Sequence, residues 1–199
     1  MTMGLRERKR EQTRTTVTKA AYRLFSEHGY DDTTVEMIAA EADVSPRTFY
    51  RYFESKDGVL AEGGYEVVDR ALDRLGEDRG LRGLVAALTD AYDELVQEND
   101  FKELAALLRE NPEVREHGPV WRRRWSDHLA AQLALDEGSS APSREQRIDS
   151  TAAVHIVGVA VDEWLYGSHD ASISEAAEGV LDHLRSSLSV DEQVPDRAS

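Results

Sequence analysis

No cysteine occurs among the 199 residues. Its absence excludes disulfides, thiolate nucleophiles and cysteine-ligated zinc sites. Proline is scarce, at 5 residues, so little interrupts a helix. Long apolar runs are missing too. The longest, "TAAVHIVGVAV" from Thr151 to Val161, spans 11 residues with a histidine inside, against the roughly 20 a membrane helix needs. The N-terminus is basic but no apolar segment follows it, so no secretory signal is expected. A glycine-rich phosphate loop is lacking as well. The expectation from these absences is a cytoplasmic protein with no membrane partner, no metal and no cofactor.

What remains is 40% hydrophobic and 32% charged, a balance suited to a helical chain long enough to bury a core. The net charge of −15 argues against a nucleic-acid partner until it is divided along the chain. Residues 1–60 carry ten Lys/Arg and ten Asp/Glu, leaving 14 of the 24 cations and 29 of the 39 anions to residues 61–199. Within residues 1–23 there are seven cations and two anions. Either this is a solvated basic tail, or a basic head on an acidic body approaches a polyanion.

Apolar periodicity predicts a first helix over 11–28, with Val17, Ala20, Ala21, Leu24 and Phe25 on one stripe and Gly29 as its stop. Thr33 and Glu36 fit a capping box opening a second helix, whose buried side holds Val35, Ile38 and Ala39. Asp43-Val44 forms a tight turn. Ser45 and Pro46 then read as N-cap and first residue of a third helix over about 46–52. Ser55 caps a fourth, from Lys56 towards Leu75. Two short helices across a tight turn, braced by another, make a helix-turn-helix. On the third helix Phe49 and Phe53 share one face, while Arg47, Tyr50 and Arg51 share the other beside Thr48. Arginine reads guanine edges or phosphate, threonine a methyl or phosphate, and a tyrosine hydroxyl binds phosphate.

The ordered pieces "AAYRLFSEHGYDDTTVEMIAAEADVS", "SPRTFYRYF" and "SKDGVL" resemble the TetR family of bacterial transcriptional regulators over about Thr13 to Leu60. The resemblance implies an all-α fold: an N-terminal three-helix helix-turn-helix DNA-binding domain (1–60) and a C-terminal helical bundle for ligand binding and dimerisation (61–199). It also implies a homodimer on a palindromic double-stranded DNA operator, usually repressing and released by a small molecule. Carried over by position, Thr34 meets phosphate, Arg47 and Thr48 face the major groove, Tyr50 and Tyr52 hold the backbone, and Lys56 pairs with phosphate; Ser45 and Arg51 are further DNA-binding candidates. Three departures stand out: Asp43 occupies the usual glycine position of the turn, Tyr52 stands where histidine is common, and Gly58 lies inside the fourth helix. One seven-residue helix reads few base pairs, so specificity independently calls for two copies about 34–36 Å apart.

The acidic half reads as helices over about 81–98, 101–110, 119–135, 144–167 and 174–188, with "DEGSSAPS" as a flexible break. Ile148, Ala152, His155 and Val159 lie on one side of the helix over 144–167. With Val180, Leu184 and Leu188 of the last helix they suggest a four-helix dimer interface, the alternative being an internal bundle. Phe101, Leu104 and Leu108 precede Trp121 and Trp125, with Arg122, Arg123 and Arg124 between the rings. Rings near cations suit an amphipathic anionic ligand; plain core is the alternative. "RENPEVRE" ahead of a Trp-rich helix, with the late Trp164, is similar to the TetR subgroup whose ligand domain takes acyl-CoA-like molecules; His155 is a further ligand candidate, the alternative being a satisfied core or interface histidine. Acyl-CoA or another lipid-like effector is therefore the ligand expected. Ser126, Asp127 and His128 are triad residue types, but neighbours on a helix point different ways and cannot relay a proton. The histidines lack metal spacing, so no enzyme is expected. Rival readings are an activator, a regulator without ligand, or a helical carrier or enzyme keeping a DNA-binding-like head.

Overall fold

The computed structural model describes residues 5–167 and 172–189. These contain ten α-helices, a 3₁₀ helix and no strand. In chain order the helices are α1 (Leu5–His28), α2 (Val35–Glu41), α3 (Pro46–Tyr52), α4 (Lys56–Leu60), α5 (Glu62–Arg74), α6 (Leu81–Leu95), α7 (Asn99–Glu110), the 3₁₀ helix Pro112–His117, α8 (Gly118–Asp136), α9 (Arg144–Tyr166) and α10 (Ile173–Ser189). No helix among the described residues is long and apolar enough to cross a membrane. The chain forms two compact units. One takes residues to Glu66 together with Val96–Trp121, the other Val67–Leu95 together with residues from Arg122 onward.

In the first unit α1 packs against α2, α4 and α7, and α2 against α3. The expected stripe is buried: Val17, Ala21 and Phe25 are fully enclosed, with Ala20 and Leu24 beside them. Gly29 stops the helix at φ +83 and donates its N–H to the Phe25 carbonyl, as a left-handed cap requires. The helix starts at Leu5, two turns before the expected residue 11. "LRERKREQT" consists largely of good helix formers, but Arg8, Lys9 and Arg10 are exposed, so no apolar stripe marks that start.

The start of α2 corrects the sequence expectation. Thr34, not Thr33, is the N-cap, its hydroxyl accepting from the Met37 N–H at 3.2 Å. Thr33 is buried, its hydroxyl 2.7 Å from the Gly29 carbonyl. Either threonine satisfies the local capping pattern; packing of the loop on α1 selects between them. At the other end Val44 N–H reaches the Ala39 carbonyl and Asp43 N–H that of Ala40, the paired bonds of a Schellman stop. The left-handed residue of that stop is Asp43, at φ 53. Glycine enters this region without the Cβ penalty. Asp43→Gly is therefore expected to stabilise the protein by roughly 0.5–1 kcal/mol, read as a rise of several degrees in thermal midpoint. A fall would show that the aspartate side chain contributes more than its backbone strain costs.

Ser45 caps α3 with its hydroxyl 3.1 Å from the Thr48 N–H, and Pro46 follows as the first helical residue. Phe49 is fully buried and Phe53 nearly so, their rings 5.5 Å apart. The expected long fourth helix is instead two. α4 ends at Leu60, Ala61 intervenes, and α5 begins at Glu62. Gly58, Gly63 and Gly64 crowd this stretch, and each weakens a continuous helix by about 1 kcal/mol relative to alanine. Residues 112–117, which carry no apolar periodicity, form the 3₁₀ helix, with Val114 fully buried in the first unit.

In the second unit α6, α9 and α10 pack mutually. α6 buries Leu84, Val85, Leu88, Ala91 and Leu95, and α9 buries Ala153, Val154, Ile156, Val157 and Ala160. A reciprocal capping box between Ser143 and Gln146 opens α9. α10 is opened from another helix: the Asp93 carboxylate of α6 accepts from the N–H groups of Ile173 and Ser174 and from the Ser174 hydroxyl at 2.6 Å. A carboxylate at a helix start also suits the positive end of the helix dipole.

Candidate nucleic-acid interface

The three-residue turn and the Ser45 cap hold α3 so that its two faces differ sharply. Phe49 is sealed in the core while Tyr50 next to it is 55% exposed. Arg47 and Arg51 are exposed, and Thr48 is half-buried with its hydroxyl 3.0 Å from that of Ser45. The exposed Thr34 lies at the start of α2. Thr34, Ser45, Arg47, Thr48, Tyr50 and Arg51 thus all belong to the α2–α3 pair of the first unit, with Arg47 and Arg51 exposed on α3.

Tyr52 is half-buried and its hydroxyl accepts from Arg51 Nη2 at 3.3 Å, with the guanidinium 4.9 Å from its ring. That hydrogen bond, helped by one from Thr13 and by the Arg51 and Arg10 charges, lowers the Tyr52 pKa from its ordinary value. The ring therefore shares a cationic patch with α1 and α3.

Lys56 does a different job from the one expected. Its ammonium lies 2.6, 3.2 and 3.1 Å from the carbonyls of Tyr30, Asp31 and Thr33, and 4.1 Å from the Tyr30 ring centroid. All three of its protons are committed to the loop between α1 and α2, so a phosphate contact would require giving them up. Lys56→Met is expected to cost about 1.5–3 kcal/mol of stability, since charge-assisted bonds disappear and three carbonyls are left without this donor. Chemical denaturation with an unchanged slope would register it; a drop well under 1 kcal/mol would mean the bonds are replaced by water.

Sequence reasoning missed the node beside Lys56. The Tyr30 hydroxyl donates to Asp57, and His117 Nδ1 lies 2.9 Å from the same carboxylate. Tyr30 and His117 rings are 5.5 Å apart, and His117 stacks on Trp121 at 6.0 Å. Burial, then the hydrogen bond to Asp57, raises the Tyr30 pKa far above that of a free phenol. Nothing in the local sequence signals a pairing across 60 positions.

The residues expected to hold a ligand divide between the units. Phe101, Leu104, Leu108 and Trp121 belong to the first, Trp125, His155 and Trp164 to the second. Leu104 and Trp121 are buried, Phe101, Leu108, Trp125 and Trp164 half-buried. His155 is exposed, with Nδ1 2.8 Å from the Thr151 carbonyl. Of the arginines between the tryptophans, Arg122 is tied down. Its guanidinium lies 2.6 Å from Asp162 and crosses Gly158, where any side chain would collide with it. Near that pair, burial pushes the Tyr92 pKa up to about 12. The triad residue types are dispersed: Ser126 donates to the Arg122 carbonyl, and His128 Nε2 meets Asp69 at 2.8 Å.

Ile148 and Val159 of α9, and Leu184 and Leu188 of α10, are exposed at 52%, 45%, 40% and 79%. Ala152 and Val180 are half-buried on the same helices. An outward apolar set of this kind on two packed helices is what a helical docking face exposes before it is covered.

A helix-turn-helix in which a capped short helix presents cations outward is the arrangement of a DNA-binding head. The model of the "Bacterial regulatory proteins, tetR family" matches residues 17–63. The HTH-type transcriptional regulator TcmR of Streptomyces glaucescens is 50% identical over 56 residues, which cover 28% of this chain and only 25% of that protein. The HTH-type transcriptional repressor Rv3405c of Mycobacterium tuberculosis is 28% identical over 142 residues, 63% of this chain and 68% of its own. Thermus thermophilus FadR, a TetR-family repressor solved with lauroyl-CoA, shares the fold at 20% identity and TM-score 0.50, covering 93% of this chain and 97% of that one. The match to the tetR family model is confined to the helix-turn-helix region, residues 17–63, and the chain spans only a quarter of the length of TcmR.

Proposed function

We propose that this protein is a homodimeric repressor that binds a palindromic operator through residues 1–60 and is released when a small amphipathic effector occupies residues 61–199. The observation that carries the reading is the outer face of α3, where Arg47, Tyr50 and Arg51 stand exposed over a sealed Phe49. Thr34, Ser45 and Thr48 complete that surface, and Tyr52 borders it. Lys56 is left out because its donors are occupied within the fold. The second copy docks on Ile148, Ala152, Val159, Val180, Leu184 and Leu188, since one short helix reads too few base pairs for genomic specificity. The acidic remainder of each chain repels DNA and leaves contact to the head. Selection of bound duplexes from a random pool, followed by footprinting, tests the reading: a symmetric protected site is expected, and no enriched sequence would refute it.

The effector reading rests on the half-buried Trp125 and Trp164 of the second unit and on the general likeness to a fold that in Thermus thermophilus FadR holds lauroyl-CoA. An effector acts only through differential affinity; about 5.5 kcal/mol moves a two-state population from 1:99 to 99:1. Lauroyl-CoA at 100 times its dissociation constant is expected to raise stability by about 2.7 kcal/mol and to quench Trp121 or Trp125 emission. A panel of acyl-CoA and fatty acids without either effect would remove the lipid-like class.

A further inference from the structure

We infer that His117, which lies outside residues 1–60, is a positioning residue for DNA binding: it holds the Asp57 carboxylate, and through Asp57 and Tyr30 it fixes the loop from which α2 and α3 set out. This inference rests on the DNA-binding reading above and adds to it a residue that touches no DNA.

The two helices of the proposed interface cannot hold a direction by themselves. Each has seven residues, well below the length at which a helix is stable alone. α2 packs against α1 and α3, and its entry is set by residues 29–34. Thr34, a proposed DNA contact, ends that loop as the N-cap of α2. A tilt of the loop therefore moves Thr34 directly and α3 through α2. Binding side chains need supporting contacts that hold them within about 0.5 Å.

Three sets of contacts tie the loop down. Lys56 spans the carbonyls of Tyr30, Asp31 and Thr33. The Thr33 hydroxyl reaches the Gly29 carbonyl at 2.7 Å. The third set is centred on Asp57 and reaches beyond residue 60. Its carboxylate accepts from the Tyr30 hydroxyl and lies 2.9 Å from His117 Nδ1. A carboxylate only accepts, so the proton of the second contact sits on Nδ1. One side chain thus joins α4, the loop and the 3₁₀ helix.

The segment carrying His117 is itself fixed. It belongs to the same compact unit as the loop. Asn111 is buried, with Oδ1 4.0 Å from the point a Cβ on Gly29 would occupy. Val114 is fully buried. The His117 ring stacks on the buried Trp121 at 6.0 Å and stands 5.5 Å from the Tyr30 ring. Stacking gives the carboxylate a donor of fixed direction rather than a mobile one.

Exposure separates positioning from stability. The Asp57 and His117 side chains are 36% and 38% exposed, so water reaches both and the pair adds little to global stability. Water can satisfy the carboxylate, but it does not fix where the carboxylate points. Loss of the His117 donor therefore loosens the loop and the pose of α2 without unfolding the unit.

The test uses the full chain and a duplex selected from a random pool by the wild-type protein. DNA affinity, hydrogen exchange over residues 29–37 without DNA, and resistance to denaturant are measured for wild type, His117→Phe, His117→Asn and His128→Phe. Phenylalanine keeps a ring beside Trp121 and removes the donor; asparagine keeps a donor near the Nδ1 position. His128→Phe removes a different histidine–aspartate contact, the one at 2.8 Å from Asp69, and is the control. His117→Phe is expected to weaken affinity by roughly 5-fold to 100-fold, one hydrogen bond lost in each of the two heads of the proposed dimer. It also speeds exchange over residues 29–37 and leaves the denaturation midpoint near wild type. His117→Asn retains wild-type affinity, and His128→Phe changes neither affinity nor exchange. Unchanged affinity in His117→Phe overturns the inference while leaving the DNA-binding reading intact. A loss that comes with global unfolding, that asparagine does not restore, or that His128→Phe reproduces, overturns it too. If the wild-type protein enriches no sequence, the DNA-binding reading fails and this inference falls with it.

Discussion

Arg47→Ala combined with Tyr50→Ala is expected to abolish sequence-selective DNA binding while leaving the fold intact. Both side chains point away from the core: Arg47 is exposed and Tyr50 is 55% exposed. The elements that hold α3 in place, the Ser45 cap and the buried Phe49 and Phe53, are untouched. Circular dichroism and thermal midpoint should therefore match wild type; surface substitutions of this kind stay within about 0.5 kcal/mol. A specific arginine contact is worth roughly 1–3 kcal/mol. Two copies of α3 in the proposed dimer would double that, so removing Arg47 alone predicts a deficit of about 2–6 kcal/mol, or roughly 30-fold to 10⁴-fold in affinity. In the proposed interface Tyr50 adds a phosphate contact. An electrophoretic shift or fluorescence anisotropy titration reads the effect. Retained selectivity in the double variant would mean that another face of the head meets the bases.

The second large effect is on assembly. If the proposed dimer forms through α9 and α10, Val159→Glu with Leu184→Glu is expected to convert it to single chains and to weaken operator binding by roughly 10²–10⁴-fold, the gain that linked binding sites ordinarily supply. Val159 and Leu184 are 45% and 40% exposed, so neither substitution opens a cavity in the second unit. In a two-fold interface every residue occurs twice. Two substitutions therefore place four carboxylates in an apolar contact without partners, which is costly for each ion. Sedimentation velocity reports the mass, and the same sample in a binding titration reports the affinity. A variant that still sediments as a dimer would move the interface off α9 and α10. A monomer that binds as tightly as wild type would separate assembly from DNA recognition.

Much of the head was legible because its information is local. Ser45-Pro46 announces a helix start by chemistry that needs no distant partner, and Phe49 and Phe53 sort themselves from Arg47 and Tyr50 by helical spacing alone. The stripe on α1 is equally plain. Where two neighbours satisfy one rule, as with Thr33 and Thr34, only burial against α1 and Gly29 chose. The outer turns of α1 were hidden for the opposite reason: an exposed helix has no apolar period to read. The break at Ala61 was masked because apolar spacing continues through it while glycine weakens the backbone.

The contacts that redefine individual residues were not legible. Lys56 looks like a phosphate ligand from its motif; its surrender to three carbonyls depends on where the α1–α2 loop comes to lie. The Asp57–His117 pair, the Asp93 cap on α10 and the Arg122–Asp162 pair join positions 40 to 81 residues apart. No spacing rule reaches that far. By itself the order of amino acids determined an all-helical chain with a helix-turn-helix head and a surplus of negative charge behind it, since periodicity, caps and net charge are properties of neighbouring residues. Only the tertiary structure decided which cations remain available and which are consumed, because a charge is neutralised by whatever the fold brings within a few ångströms of it.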